Sequence, residues 1–394
     1  MRAVAMLDVA DAASMVDVPR RIRVAHLIHT MAHGGVETAL INWMKTFDTE
    51  RVDAQLFVFA NPGATEQPFV DATRRAGLTV HYVPWGRLKP VRRAARATAG
   101  LIRQHHVQIL HCHNAYANVV GLLAARTEPV KTLTTMYVWS KVGFKRRVLQ
   151  RIDQALLGRF DQVTAHCEAA LQGTVERGIP ADRIRLLTCG FADRVAHLGP
   201  AERDELRASL GARPGETVLI KVARFWPEKR HDVLLRAFQQ LLHKRPGTRL
   251  WIPGVGPEEP NVRALATRLG LDDHVSFLGF RTDLPELLAA ADIQVHSSDE
   301  EGVPLAILAG MAAGLPIVST DVGGIAEVLR HERSGVLVPR RDPRRLAAAL
   351  DDLVGDHLRR RVLGANAQRF LRDEYSLEAS TARVEALYRE VLTR

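Results

Sequence analysis

Arg224 and Lys229 in "KVARFWPEKRHDVLL" (221–235) carry the side chains in this sequence best suited to holding a diphosphate. Arginine offers a planar fork and lysine a mobile point charge, so the two on one strand-to-helix loop can clamp such a group. A plain surface ion pair would use the same residue types. In "HTMAHGGVETAL" (29–40), Gly34 and Gly35 stand just before a helix. Unpaired N–H groups and the helix dipole favour an anion there, and the absence of side chains lets a phosphate approach the backbone. "DEEGVPLAILAGMAAGLPIVST" (299–320) brings Glu301, with Gly302, Val303 and Pro304, to the end of a loop before a helix of small residues starting near Leu305. A carboxylate at that position caps the helix by default, and at a cleft it can bind sugar hydroxyls. His113 in "HCHNAYANVVG" (111–121) sits at the carboxyl end of a strand, where open parallel sheets bind ligands. His111 lies on the same side of that strand, a conceivable metal pair for which the sequence offers no third ligand nearby.

These loops need a frame, and short β-branched runs alternating with helical patterns supply it. The first series is "IRVAHLI" (22–28), "AQLFVFA" (54–60), "LTVHYV" (78–83), "VQILHC" (107–112), "VKTLTT" (130–135), "DQVTAH" (161–166) and "RIRLLT" (183–188). A second follows with "TVLIKVA" (217–223), "TRLWIPG" (248–254), "HVSFLG" (274–279), "DIQVHS" (292–297), "PIVST" (316–320) and "GVLVP" (335–339). Such repetition predicts parallel sheets covered on both faces. The rhythm fails over 194–215, which holds Gly199-Pro200 and Pro214-Gly215, so the domain boundary is placed there. Two doubly wound α/β domains facing a cleft are the expected architecture, with 1–20 a loose leader, 21–197 the first domain and 198–375 the second.

Length and composition agree. A chain of 394 residues exceeds what one core usually supports, and 46% hydrophobic with 25% charged residues is ordinary for a globular protein. No apolar run reaches the roughly 18 residues of a membrane span. Cys112, Cys167 and Cys189 lie far apart without a CxxC pair, which points to buried thiols in a cytoplasmic setting. The net charge of +10 is concentrated in "GRLKPVRRAARATAGLIRQHH" (86–106) and "KVGFKRRVLQR" (141–151), neither of which contains an acid. Both fit helices that rest on anionic lipid, and equally a solvated basic face. Without interleaved aromatics or a recognisable module, nucleic acid is not the expected partner.

Over roughly 21–390 the chain resembles the family-four retaining glycosyltransferases of GT-B architecture, through "HGGVE", "HCHNAYANVVG", "ARFWPEKRHDVLL", "IPGVGPE", "LGFRTDLPELLAAADIQVHSSDEEGVPLAILAGMAAGLPIVSTDVGGIAEVL" and "SGVLVP". The resemblance implies transfer of a sugar from a nucleotide-diphosphate donor to a glycan or lipid-linked acceptor, without a metal or other cofactor. It also implies a last helix, 376–394, that crosses back to the first domain. It places Arg224 and Lys229 on the diphosphate, Gly34 and Gly35 opposite them, Glu301 and His113 near the transferred sugar, and Gly302, Val303, Pro304, Leu305 and Ala309 along the donor. Ala309 stands where the family carries a second glutamate, which grips the ribose. Cys189-Gly190 replaces the usual asparagine-glycine, Cys167 a common serine, and Met136 or Tyr137 a first-domain histidine. These departures leave room for a second reading, a degenerate member that binds a nucleotide or glycan without turnover.

Overall fold

The computed structural model describes residues 20–30, 34–137, 144–192 and 195–394. The proposed leader, apart from Arg20, lies outside these residues, as do Lys141 and the side chains of Lys145, Arg146 and Arg147.

The first sheet contains β1 (Ile22–Ile28), β2 (Val52–Ala60), β3 (Val80–Pro84), β4 (Ile109–His113), β5 (Lys131–Met136), β6 (Gln162–Ala165) and β7 (Ile184–Leu186). The second contains β8 (Thr217–Ile220), β9 (Thr248–Pro253), β10 (Val275–Gly279), β11 (Ile293–His296), β12 (Ile317–Thr320) and β13 (Val336–Val338). Among the described residues the orders are β3-β2-β1-β4-β5-β6-β7 and β10-β9-β8-β11-β12-β13, and every neighbouring pair is parallel. Each sheet therefore reverses its winding once, between β1 and β4 and between β8 and β11. Loops leaving the carboxyl ends at such a switch point diverge and open a crevice. The loops that hold Gly34, Arg224 and Glu301 leave β1, β8 and β11, and His113 ends β4.

Both faces of the first sheet are covered, which is why its strands read as near-continuous apolar runs. Ala25, Leu27, Leu110 and Cys112 pack in one cluster with residues of helices Val91–Gln104 and Ala115–Ala125. The alternate residues Val24, Ile28 and Ile109 pack with helices Gly35–Thr46 and Leu377–Thr393. The latter helix follows the second domain in sequence yet packs on the first. Trp43 Nε1 donates to Ser380 Oγ at 3.1 Å, and Ser380 Oγ donates to the Thr188 carbonyl at 2.6 Å. Gly190 permits the crossing, since a Cβ there would lie 2.6 Å from the Leu377 Cα.

The domains also touch directly. Glu327 Oε2 and Oε1 accept from the N–H groups of Glu168 and Ala169 at 2.8 and 3.1 Å, so a carboxylate of the second domain caps helix Glu168–Val175 of the first. His166 Nε2 accepts from Val303 N at 3.4 Å, while its Nδ1 donates to the Met136 carbonyl at 3.1 Å. Gly302 fits only as glycine, because a Cβ would fall 2.1 Å from His166 Nε2.

Candidate active site

After β8 the backbone runs through Arg224 into a short 3-10 turn, Pro227–Lys229, and then Arg230 at φ +47°, a left-handed conformation. Buried side chains hold this turn. Lys221, with no solvent exposure, donates from Nζ to the Lys229 carbonyl at 2.8 Å and to Ser297 Oγ at 2.7 Å. Burial, and next the neighbouring Lys229 charge, pull the Lys221 ammonium down to about 7. Arg230 donates to Asp232 at 2.8 Å and to Asp299 at 3.3 Å, and Arg341 donates to Asp299 at 2.7 Å. The loops after β8 and β11 are thus tied together by Asp299, just before the acidic loop.

That tie brings Lys229 and Glu301 together. Lys229 Nζ donates to Glu301 Oε1 at 2.7 Å, with side chains only 18% and 9% exposed. Ser298 Oγ donates to the same oxygen at 2.7 Å, which leaves Glu301 Oε2 without a hydrogen-bond partner among the described residues. Arg224 is exposed, rests near the Trp226 ring at 5.6 Å, and makes no ion pair among the described residues. It points across the cleft: a Cβ on Gly34 would lie 3.9 Å from its guanidinium, and one on Gly35 3.9 Å from Leu305. Gly34 N donates to Glu37 Oε2 at 3.0 Å, and the Gly34 carbonyl takes the Thr38 N–H. The structure therefore brings Arg224 to Gly34, Leu305 to Gly35 and Gly302-Val303 to His166 between the domains, with Lys229 and Glu301 paired on the second-domain side.

His113 closes β4, as its motif suggests, with its side chain turned into the fold. It is fully buried, with Nε2 at 3.0 Å from His26 Nδ1 and Nδ1 at 3.1 Å from the Tyr137 hydroxyl, so Tyr137 is interposed between it and the cleft. Burial lowers the His113 imidazole to about 3 and holds His26 and His111 well below the usual range. His111 meets the Tyr388 hydroxyl at 2.9 Å and the Thr135 hydroxyl at 2.7 Å. The sequence showed no third ligand beside His111 and His113; His26 corrects that, and donor nitrogens of the three lie within 4.8 Å of one another. Three imidazoles are enough for a zinc site in ligand number. Here, however, every ring nitrogen already has a side-chain partner.

Ala309 is 9% exposed in an apolar cluster with Val218, Ile220, Trp251 and Leu315. A methyl group suits that setting, and a carboxylate would need a partner. Reading by residue type missed Lys221, His26, His166 and Tyr388. His26 had a signal, the period of two along β1 that places it beside His111 in register. Tyr388 had none, since the separation of 277 positions between it and His111 is closed only by the fold.

Comparison with known proteins supports the same architecture. A model described as "Glycosyl transferases group 1" matches residues 202–370, and one described as "Glycosyltransferase Family 4" matches 33–194. The chain is 27% identical over 307 residues to N-acetyl-alpha-D-glucosaminyl L-malate synthase of Bacillus anthracis, covering 76% of this chain and 78% of that protein. It is 32% identical over 297 residues to D-inositol 3-phosphate glycosyltransferase of Nocardia farcinica, covering 68% and 65%. The fold matches Anabaena HepE, solved in complex with UDP-glucose, with a TM-score of 0.83 at 22% identity over 93% of this chain and 99% of that one.

Proposed function

The chain belongs to glycosyltransferase family 4 and has the GT-B fold, and on that premise we propose that it is a retaining, metal-independent transferase. It moves a hexosyl group from a nucleotide-diphosphate donor to a glycan or polyprenyl-linked acceptor in cell-surface polysaccharide synthesis. The observation that carries the reading is the set at the crevice: Arg224 faces the Gly34 backbone, while Lys229 and Glu301 meet at 2.7 Å on the donor side.

Cleavage of the donor's glycosidic bond leaves an oxocarbenium-like sugar and a diphosphate that gains negative charge. Arg224 and Lys229 stabilise that leaving group more as its charge grows, which is the condition for acceleration rather than mere binding. N–H groups at the start of helix Gly35–Thr46 face the same phosphates from the other domain. The Glu301 carboxylate accepts from a sugar hydroxyl, and the departing phosphate oxygen takes the proton of the incoming acceptor hydroxyl. UDP-glucose in the HepE structure supports a uridine donor as the first to test. Arg224→Ala or Lys229→Ala should each lower kcat/KM by about ten- to a hundredfold, the loss of one charge-assisted hydrogen bond. The test is turnover of a nucleotide-sugar panel with lipid and glycan acceptors, before and after chelation. Unchanged rates in both variants would remove the assignment, and no turnover of any donor would favour a nucleotide-binding role, the reading that Ala309 suggests.

The first domain also has the surface of a peripheral membrane protein on the cytoplasmic face. Arg87, Lys89, Arg92, Arg93, Arg96 and Arg103 are exposed, Leu88 between them is 95% exposed, and Val148 and Ile152 project from a nearby helix, Phe144–Leu157. No helix among the described residues is long and apolar enough to cross a membrane. Cations around a projecting apolar residue suit an anionic lipid surface.

A further inference from the structure

The histidine cluster behind the cleft has a direction. Thr164 Oγ donates its one proton to the Thr134 carbonyl at 3.1 Å, so the 2.8 Å contact between Thr164 and Thr135 hydroxyls must be donated by Thr135. With that proton committed, His111 Nε2 has to donate to Thr135 Oγ across 2.7 Å. A neutral imidazole carries one N–H, so His111 Nδ1 accepts, and Tyr388 donates to it at 2.9 Å. The Tyr388 oxygen then receives His26 Nε2–H at 3.5 Å. His26 Nδ1 in turn accepts from His113 Nε2–H at 3.0 Å, and His113 Nδ1 accepts from the Tyr137 hydroxyl at 3.1 Å. Full burial keeps the three rings neutral, which the assignment requires. Every proton in the chain points the same way.

We propose that Tyr137 is a specificity-determining residue of the sugar site, held by this one-way chain so that its oxygen can only accept hydrogen bonds, with His113 as the positioning residue behind it. The inference rests on the transferase reading and deepens it. Tyr137 is partly exposed, and its ring lies 5.0 Å from that of His166, whose Nε2 takes the Val303 N–H. Burial raises the Tyr137 hydroxyl most, followed by Cys189 and then by Glu37, which holds Gly34 N. Tyr137 thus stands between the loop of Gly34 and the loop of Glu301. A phenol whose proton is drawn inward recognises a hydroxyl or N–H of the bound sugar and rejects a group that can only accept.

Two measurements on the full chain test it. Nitrogen-15 spectra of histidine-labelled protein should show His26, His111 and His113 all as the Nε2–H tautomer. An Nδ1–H tautomer at His113, or stoichiometric zinc in the purified protein, would overturn the proposal. Binding of UDP, UDP-glucose and its monodeoxyfluoro analogues is then compared in wild type and Tyr137→Phe. The wild type should discriminate against fluorine at one sugar position by about tenfold, and the variant should lose that discrimination while binding UDP within about twofold of wild type. Discrimination retained in a folded variant would sink the proposal and leave the transferase reading standing. Wild-type protein that binds neither UDP nor UDP-glucose would instead count against the donor reading, and the tautomers would still decide the direction of the chain.

Discussion

Lys229 and Glu301 neutralise each other across 2.7 Å, so each is already committed before any ligand arrives. On the proposed reading, an incoming diphosphate would compete with Glu301 for the ammonium and free the carboxylate for the sugar. Nucleotide binding and preparation of the sugar-facing group would then be one event. Glu301→Gln should separate them. With the negative charge gone, Lys229 presents its full charge to the phosphates, so UDP should bind as tightly as in wild type or more tightly. Turnover should fall by at least tenfold, because the amide is a weaker acceptor for the sugar. Isothermal titration with UDP beside steady-state rates checks this, and weaker UDP binding would contradict it. Residue type and loop position made Arg224, Lys229 and Glu301 legible in the sequence. The same logic found His113 at the carboxyl end of β4, but a strand end does not say that the side chain is buried against Tyr137.

The strands were legible for a simple physical reason: a strand buried on both faces has little freedom of composition, and all thirteen apolar runs fall on strands among the described residues, with ends shifted by a few positions. What periodicity could not supply is which polar residues those strands take inside. β1, β4 and β11 bury His26, His111, His113 and His296, and helix His231–Lys244 begins with a buried histidine. Burial lowers His113 to about 3 and His231 to about 2, and holds the other three well below the usual range. The unfolded chain takes up protons at these sites near pH 6.5, while the native fold does not until the pH is far lower. Stability contributed by the neutral rings is thus present above pH 6.5 and is lost as pH falls toward 3. Well inside that window, about a unit or more below 6.5, each ring costs about 1.4 kcal/mol per pH unit. Melting temperature should fall steeply between pH 6.5 and 4, and more shallowly in His231→Phe, whose Nε2 has no partner to lose. A flat profile across that interval would contradict the burial.

On the scale of the molecule, two crevices opened by two switch points are pressed into one. Glu327 capping a helix of the other domain, and His166 against the Gly302-Val303 backbone, keep the two facing. The partners of Glu327 could not be read from the sequence, because capping from another domain leaves no local pattern. The basic surface was visible as composition alone; exposure of Leu88 among the arginines adds the apolar element that composition lacked. If that surface docks on anionic lipid, binding to vesicles containing phosphatidylglycerol should weaken by an order of magnitude or more between low and physiological salt. Leu88→Asp should weaken it further without altering UDP affinity. Salt-independent association, or none, would end the membrane assignment.

His26 and Tyr388 meet although 362 positions separate them, and the second comes from the last helix described. A ribosome makes the first long before the second. Until residue 388 has left the exit tunnel, His26 and His111 lack their shared phenol, and Tyr137 has no fixed orientation. The first sheet is thus made early, but its buried histidine chain closes only after the whole second domain has been translated and helix Leu377–Thr393 has packed back.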